Sequence, residues 1–305
     1  MGTHQPPQSD GIRYTMLPDD HFRPDRTVMT DPASFALAIR HTVLEALQED
    51  LGTGDQTAAL IAADTTAHAR VITREPAVLC GQPWFDACFT LLDPEVNITW
   101  HARDGDPVQA GDTVCELHGH ARALLSGERP ALNFLQTLSA TATLTRRYVQ
   151  AIGDYPCQVM DTRKTLPGLR LAQKYAVRAG GGSNQRHGLY DGILIKENHI
   201  LAAGGIAAAL AATRQASVPV QIEVESLDEL RQALDAGASL ILLDNFDLAT
   251  LREAVRLAGG RAVLEASGGV TLDTIRDIAA TGVQRISAGE LTKHIRAIDL
   301  SMRIV

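Results

Sequence analysis

Gln158-Val-Met-Asp161 is the first of six short apolar runs that decide the fold class of this chain. The other runs follow at intervals of about 20 to 35 residues: Gly192-Ile-Leu-Ile195, Val220-Gln-Ile-Glu-Val224, Leu240-Ile-Leu-Leu243, Ala262-Val-Leu-Glu265 and Gln284-Arg-Ile-Ser287. Helical patterns separate them, including 227–236, 249–257 and 271–280, and several end at glycine. Alternating βα units predict a parallel sheet that is closed or nearly closed as a barrel. With only six units visible, a doubly wound open sheet stays an alternative, although its glycine fingerprint is missing.

The part of the chain before these runs has a different pattern. A helix is predicted over 31–50, with Asp31-Pro32 as its cap and first turn, and a second helix over 130–152 with Pro130 near its start. Between them, 67–123 consists of short runs broken by turn residues and is predicted to be rich in strands. We therefore predict a flexible segment at 1–27, an N-terminal domain at 28–130, with 292–305 as a candidate addition, and a barrel domain at 131–291.

Composition excludes several classes of protein. The 305 residues are 45% hydrophobic and 21% charged, which is typical of a globular protein, and the net charge of -8 argues against general nucleic-acid binding. Residues 1–10 lack the basic and apolar regions of a signal peptide, and no apolar run approaches the roughly 20 residues that span a bilayer. The expected location is the cytoplasm, without a nucleic-acid or membrane partner.

Charged and glycine residues follow the strands at the end where βα barrels carry their function. Basic residues outnumber acidic ones seven to three between Asp161 and Asn198, so this acidic protein contains a basic region suited to an anionic ligand. Within it, Arg170, Lys174 and Arg178 recur every four residues and are predicted to form a solvated helix face. Gly180-Gly-Gly182 is interpreted either as a mobile loop that presents Arg186 or as a helix cap followed by a turn.

Carboxylates and glycines mark the later strands. Glu223 and Asp244 end separate strands and suit Mg²⁺, and alternation places Glu225 on the same side as Glu223. Surface or salt-bridge carboxylates are the alternative interpretation. Ser267-Gly268-Gly269 and Ala288-Gly289 allow backbone amides to approach a phosphate closely, although glycine at a tight turn also has purely structural uses.

With these residues identified, the chain resembles the quinolinate phosphoribosyltransferase family. The matching stretches run in order along the chain: Glu49-Asp-Leu-Gly-Thr-Gly-Asp-Gln-Thr57, Glu128-Arg-Pro-Ala-Leu-Asn133, Asp161-Thr-Arg-Lys-Thr-Leu-Pro-Gly168, Leu194-Ile-Lys-Glu-Asn-His199, Glu223-Val-Glu225, Leu242-Leu-Asp-Asn-Phe246 and Glu265-Ala-Ser-Gly-Gly269. The resemblance implies an α/β fold with an incomplete parallel βα barrel, of the type II phosphoribosyltransferase kind, and an N-terminal α/β sandwich domain. It also implies a homodimer or higher homo-oligomer.

The resemblance further implies an activity and its site residues. Quinolinate and phosphoribosyl pyrophosphate would give nicotinate mononucleotide, pyrophosphate and CO₂. The substrates would be bound by Arg129 from the partner subunit, Thr162, Arg163, Lys164, Gln185, Arg186, Lys196, Glu223, Asp244, Ser267, Gly268, Gly269, Ala288 and Gly289. Lys164, Lys196, Glu223 and Asp244 would be catalytic, and Glu223 and Asp244 would serve Mg²⁺ directly or through water or substrate.

One position departs from the family pattern. Where the family usually has Asn-His-Arg, this chain has Asn184-Gln185-Arg186, with His187 following. Because the Gln185 amide carries no positive charge, one substrate contact is expected to be weakened or replaced. Two other functions stay open: a phosphoribosyltransferase acting on nicotinate or another small aromatic acid, and a metabolite-binding or regulatory protein that has kept the scaffold.

Overall fold

A computed structural model describes residues 31–305, so the predicted flexible segment at 1–27 lies outside the described residues. The chain forms two compact units, one containing 31–139 together with Ala297–Val305 and the other Ala140–Arg296. The predicted domain boundary at residue 130 falls inside a helix, and the units divide after Ser139. None of the helices within 31–305 combines the length and apolar character that a bilayer crossing requires.

The first unit is built on antiparallel strands. Its elements are α1 (Pro32–Leu51), β1 (Thr66–Thr73), β2 (Ala77–Val78), α2 (Gln82–Leu92), β3 (Asn97–Trp100), β4 (Pro107–Val108), β5 (Thr113–His120) and the last strand of the chain, β12 (Leu300–Ile304). One sheet has the order β12-β1-β5-β3, and β2 pairs with β4. The predicted first helix is confirmed, and the Asp31 side chain caps it by accepting a hydrogen bond from the Ser34 amide at 2.8 Å.

The five strands β1 to β5 occupy the stretch 67–123, so the prediction that it is rich in strands is confirmed. The stretch also contains α2, which was not predicted; its buried Trp84, Phe85, Cys88, Phe89 and Leu92 have helical spacing. The predicted start of the second helix was wrong. The helix predicted to begin at Pro130 is α3 (Ala121–Ile152), which contains Pro130 in its interior. Interior proline costs about 3 kcal/mol, but buried leucines on both sides of it, Leu124 and Leu132, stabilise one continuous helix.

The second unit contains the six predicted βα strands. Its elements after α3 are β6 (Gln158–Met160), α4 (Arg170–Ala179), β7 (Ile193–Ile195), α5 (Glu197–Ala203), α6 (Ile206–Ala212), β8 (Val220–Val224), α7 (Leu227–Asp235), β9 (Leu240–Asp244), α8 (Leu248–Ala258), β10 (Val263–Ser267), α9 (Ile275–Ala279), β11 (Arg285–Ser287) and α10 (Glu290–Lys293). All strand pairs are parallel. Ile222, Val224, Ile241 and Leu243 are buried in the core that these strands share with the helices.

The strand order identifies this sheet as an incomplete barrel. The strand order is β6-β11-β10-β9-β8-β7. From β7 to β11 each strand pairs with the next one in the chain, and β11 pairs with β6. Within the described residues, only the pair β6 with β7 is missing from a closed ring. A doubly wound sheet would instead reverse its order in the middle, so that alternative is excluded. Beside β6, Ser183 forms a parallel bridge with Met160. The segment after α4 therefore continues the sheet at one edge of the gap.

Candidate active site

A cavity of about 540 Å³ lies on the concave face of the incomplete barrel. Alternate residues of single strands line it: Gln221 and Glu223 of β8, Leu240, Leu242 and Asp244 of β9, Glu265 and Ser267 of β10, and Arg285 and Ser287 of β11. The intervening residues face the helices, as the period of a strand requires. Glu225 comes after the end of β8, is exposed and does not line this cavity, but it lines a smaller neighbouring cavity together with Glu223.

Basic residues occupy one part of the cavity wall. Thr162, Arg163 and Lys164 follow β6, Gln185 and Arg186 belong to the segment after α4, and Lys196 follows β7; all six line the cavity. Burial lowers the pKa of Arg186, and the neighbouring positive charge of Arg163 lowers it further. Two guanidinium groups that repel each other in a partly buried wall favour an anion between them. The predicted basic site is thus assembled from three separate segments.

Arg163 and His187 each have a polar atom without a partner. Arg163 Nε and His187 Nε2 are buried and have no hydrogen-bond partner among the described residues. A buried polar atom that makes no hydrogen bond destabilises the folded state by roughly 1 to 3 kcal/mol. Both residues line the cavity. A ligand that accepts a hydrogen bond would satisfy Arg163 Nε–H. His187 Nδ1 faces Asp191 and burial lowers the pKa of the ring, so its Nε2 is the acceptor of a neutral imidazole and would need a donor.

Lys196 and Glu223 form an ion pair across the first strands of the ring. Lys196 Nζ donates to both oxygens of Glu223, at 2.9 and 2.8 Å, and Glu223 is only 9% exposed. Asp244 lies on the adjacent strand and accepts a hydrogen bond from Asn245 Nδ2 at 2.8 Å. Carboxylates on neighbouring strands are suitable oxygen ligands for Mg²⁺, which binds through one or two carboxylates together with substrate phosphates. Glu223 and Asp244 therefore have the oxygen atoms that the predicted Mg²⁺ requires. The ion would have to share the Glu223 carboxylate with Lys196 Nζ or displace it.

Gln185 and Glu265 form a polar cluster in the cavity wall. The Gln185 side-chain amide donates to Glu265 Oε1 and to Gln221 Oε1, and Gln221 Nε2 donates to Glu265 Oε2 at 3.1 Å. Burial raises the pKa of the Glu265 carboxyl, while the hydrogen bonds from Gln185 and Gln221 oppose that shift. Since both amide hydrogens of Gln185 are engaged, only its carbonyl oxygen is left to meet a ligand.

The predicted phosphate segments are only partly in the cavity wall. Ser267 lines the cavity, whereas Gly268, Gly269, Ala288 and Gly289 are not among its lining residues. Gly268 has a structural reason for being glycine: it adopts φ +96°, and an added Cβ would lie 2.1 Å from Asn245 Oδ1. An added Cβ on Gly289 would meet Lys164 Cδ at 3.3 Å, so that glycine allows Lys164 to pack closely.

The prediction for three basic residues of α4, which do not line the cavity, was wrong. Arg170, Lys174 and Arg178 were predicted to form a solvated helix face, but Lys174 is fully buried and Arg170 is half-buried, with hydrogen bonds to Thr165 and to the His187 carbonyl. Of the two interpretations of Gly180-Gly-Gly182, the structure shows the helix cap followed by a turn. Gly180 caps α4, and an added Cβ would lie 2.5 Å from the Ala142 carbonyl oxygen of α3. The helix-cap interpretation is confirmed.

Sequence reasoning missed Gln221, Glu265 and Arg285 as cavity residues. The signal was available, because each stands two residues before a residue already considered, Glu223, Ser267 or Ser287, on the same strand. Arg129 belongs to the first unit, where it is exposed and 4.0 Å from Glu128. Among residues 31–305, the only group of three side chains placed to share a metal is Asp93, Glu95 and His120, also in the first unit.

The incomplete βα barrel and its cavity define an enzyme that acts on a small polyanionic molecule. Two family models match the chain: "Quinolinate phosphoribosyl transferase, C-terminal domain" over 141–303 and "Quinolinate phosphoribosyl transferase, N-terminal domain" over 55–139. Together they cover most of the residues that the structure describes. The chain belongs to the quinolinate phosphoribosyltransferase family.

Individual relatives agree with this assignment. The chain is 44% identical over 259 residues to a probable carboxylating nicotinate-nucleotide pyrophosphorylase of Bacillus subtilis, covering 84% of this chain and 90% of that protein. A decarboxylating quinolinate phosphoribosyltransferase of Nicotiana tabacum is 35% identical, with 96% and 90% covered. The solved nicotinate-nucleotide pyrophosphorylase of Francisella tularensis superposes with a TM-score of 0.86 at 47% identity, covering 88% of this chain and 97% of that one.

Proposed function

We propose that this protein transfers the phosphoribosyl group of phosphoribosyl pyrophosphate to quinolinate, with decarboxylation, in the biosynthesis of NAD. The products are nicotinate mononucleotide, pyrophosphate and CO₂. The observation that carries the proposal is the cavity of the family's barrel, whose wall combines Arg163, Arg186 and Lys196 with the carboxylates Glu223 and Asp244. Quinolinate is a dianion and the donor carries several phosphate charges, so both require such a basic wall.

Each charged residue has a role that its position supports. Arg163, Arg186 and Lys196 hold the two carboxylates of quinolinate, for which the planar guanidinium groups are suited to bidentate hydrogen bonds. Lys164, at the rim beside Gly289, contacts the phosphoribosyl donor. Thr162 contacts the donor from the cavity wall. The 5′-phosphate of the donor is assigned to Ser267, which lines the cavity, and to the backbone of Gly268, Gly269, Ala288 and Gly289, which follow β10 and β11 outside the cavity lining. Gln185 contributes only through its carbonyl oxygen, because its amide hydrogens are engaged.

The reaction then follows from charge and alignment. The pyridine nitrogen of quinolinate attacks C1′ of the donor while the bond from C1′ to pyrophosphate breaks, and positive charge develops on the sugar. Glu223 and Asp244 stabilise that charge electrostatically. Holding both reactants aligned removes several kcal/mol from the barrier. The quaternary nitrogen next stabilises the electron pair left on the ring carbon when CO₂ departs, and a proton replaces the carboxylate.

We also propose Mg²⁺ as the cofactor, held by Glu223 and Asp244 directly or through water and substrate oxygens. When bound, the ion offsets the negative charge of the pyrophosphate group. The two carboxylates suit this ion because they are hard oxygen ligands on neighbouring strands. Chelation of divalent cations is expected to abolish turnover and added Mg²⁺ to restore it. A cytoplasmic location stays a prediction, to be tested by cell fractionation.

The test of the function is a pyrophosphate-release assay with quinolinate, phosphoribosyl pyrophosphate and Mg²⁺, using nicotinate as the control acceptor. Release of pyrophosphate and CO₂ in equal amounts with quinolinate is the expected result, with little release from nicotinate. Preference for nicotinate would instead support a transferase for a monocarboxylate. Binding of quinolinate without any release would support a binding or regulatory protein.

A further inference from the structure

Asp161 and Lys174 form a buried ion pair behind the cavity wall. Both side chains are fully inaccessible to solvent, and Lys174 Nζ lies 2.5 Å from Asp161 Oδ1. Neither residue lines the cavity. Lysine is almost never fully buried unless it is paired, so Lys174 depends on Asp161 for its place in the interior.

The pair binds the segment that follows α4. Asp161 Oδ1 accepts the backbone amide hydrogen of Gln185 at 2.8 Å, and Lys174 Nζ donates to the Gln185 carbonyl oxygen at 2.8 Å. Asn184 Nδ2 donates to Asp161 Oδ2 at 2.6 Å and to the Lys174 carbonyl oxygen at 2.9 Å. Both backbone polar groups of Gln185 are thus held by opposite charges of a single ion pair.

This arrangement links two parts of the basic wall. Asp161 directly precedes Thr162, Arg163 and Lys164, and it holds the segment that carries Gln185 and Arg186 into the same cavity. Charge-assisted hydrogen bonds are about twice as strong as neutral ones and restrict geometry more tightly. The guanidinium groups of Arg163 and Arg186, which repel each other, therefore have a common rigid anchor.

Stability alone does not account for the pair. Desolvation raises the pKa of Asp161 and lowers the pKa of Lys174, because burial penalises both charged forms. Replacing a buried ion pair by hydrophobic residues of similar volume is often neutral or even stabilising. Hydrophobic residues would not reproduce the hydrogen bonds to Asn184 and Gln185, and an asparagine at position 161 would keep one acceptor oxygen where Asp161 uses two.

We propose that Asp161 and Lys174 are positioning residues that fix the Asn184–Arg186 segment and thereby set the affinity for the dicarboxylate acceptor. This inference rests on the proposed function for the identity of that acceptor. Neither residue touches the substrate. Their effect is transmitted through the placement of Arg186 in the wall opposite Arg163, and a displacement of about 1 Å in such a group is enough to cost up to about 100-fold.

The test is the double variant Asp161→Asn/Lys174→Met, which removes both charges and keeps the side-chain volumes similar. Its matched control is Asp228→Asn/Arg231→Met, which removes an exposed ion pair of the same unit. We expect the Kd and KM for quinolinate to rise about tenfold or more in the first variant, with the KM for the donor within about twofold of the parent. Hydrogen exchange across 183–187 should become faster, while exchange across 240–244 stays unchanged. The control should match the parent throughout.

A folded double variant with unchanged quinolinate Kd and unchanged exchange at 183–187 would overturn the proposal. If the double variant does not fold, Asn184→Ala provides the second test, because it retains the ion pair and removes two of the hydrogen bonds. Faster exchange and weaker quinolinate binding are expected there too, and the absence of both would overturn the proposal. A parent protein that releases no pyrophosphate would contradict the proposed function instead, and the exchange measurement still tests the positioning role.

Discussion

At the scale of single residues, Gln185 is where this chain departs from the family pattern, and a weakened or replaced substrate contact was expected there. Glu265 and Gln221 accept the hydrogens of its amide, which agrees with that expectation. A cationic side chain at this position would form an ion pair with the buried Glu265 carboxyl, whereas glutamine satisfies that carboxyl through neutral hydrogen bonds. The proposed function therefore leaves Arg163, Arg186 and Lys196 as the cationic groups of the cavity wall that are expected to bind the dicarboxylate. Glutamine in place of the family's histidine therefore mainly affects the hydrogen bonds that hold Glu265 and Gln221 in the cavity wall, and it has less effect on the charge that the ligand meets.

Arg163 and Lys196 provide the direct test of that wall. We expect Arg163→Ala and Lys196→Ala each to lower kcat/KM for quinolinate by about 100-fold or more, because each removes a charged contact of roughly 3 kcal/mol. Both variants should stay folded, as judged by circular dichroism. Arg178→Ala removes an exposed arginine from α4 and serves as the control. Near-parental rates in both variants would contradict the site assignment.

Asp86 in the first unit predicts a pH-dependent stability. Burial raises the pKa of this carboxyl to about 6, although Trp100 Nε1 donates to it at 2.9 Å. The folded state therefore takes up a proton before the unfolded state does, and the ionised form destabilises the fold above that pH. As the pH falls from about 6 to about 3.8, the ordinary pKa of an aspartate, the free energy of unfolding contributed by Asp86 increases. This contribution is lost again as the pH rises through the same range.

Asp86→Asn keeps the acceptor oxygen for Trp100 and removes the charge. We expect it to stabilise the protein by about 1 kcal/mol at pH 8, a figure discounted for the partial exposure of the group. The difference from the parent should shrink toward zero near pH 4, which thermal unfolding at both pH values would measure. Asp154→Asn, at an exposed aspartate, should change neither value. A stabilisation independent of pH would indicate another cause.

At the scale of elements, two of the three glycines that follow α4 have different causes: Gly180 packs against α3, and Gly181 has a left-handed backbone. Gly180 has φ −71°, which alanine also adopts, but its added Cβ would lie 2.6 Å from Thr145 Cβ. Gly181 has φ +93° and open space, with Val149 Cγ1 as the nearest atom at 3.8 Å. One glycine is thus required by packing and the next by backbone conformation.

The two alanine variants separate these causes. Gly180→Ala is expected to destabilise the protein by about 2 to 3 kcal/mol, since the added methyl group overpacks against α3. Gly181→Ala should cost about 1 kcal/mol, the ordinary penalty for a left-handed alanine. Urea unfolding midpoints would measure both. Equal losses would mean that the predicted overpacking at Gly180 is relieved by movement of α3.

At the scale of the whole molecule, Arg129 predicts that the active site is completed by a second subunit. This arginine is exposed in its own unit, and its placement in a partner's site is an expectation from the family. Two inactive variants, Arg129→Ala and Arg163→Ala, would then complement each other when mixed, because one site of each heterodimer would be intact. We expect recovery of about a quarter of the parental activity from random mixing of a twofold dimer.

Complementation requires subunits that exchange, so the variants are best co-expressed, with the mass of the assembly measured by light scattering. If Arg129 acts within its own subunit, every site in the mixture carries a defect and no activity returns. A monomeric parent protein with full activity would also contradict the prediction. Arg178→Ala paired with Arg163→Ala provides the control, in which the activity simply follows the share of intact sites.

The sequence by itself determined the six βα units, the first helix and the presence of basic residues after the early strands, because each depends on local periodicity and local composition. The tertiary structure decided which strands leave the ring open, which of them border the cavity, and that Lys174 is buried while Arg178 is exposed. These features depend on pairing and burial between residues far apart in the chain, and no local pattern encodes them. The basic residues found in the sequence line a single cavity because β6 and β7 are members of one sheet and the Asp161–Lys174 pair holds the segment after α4 beside them.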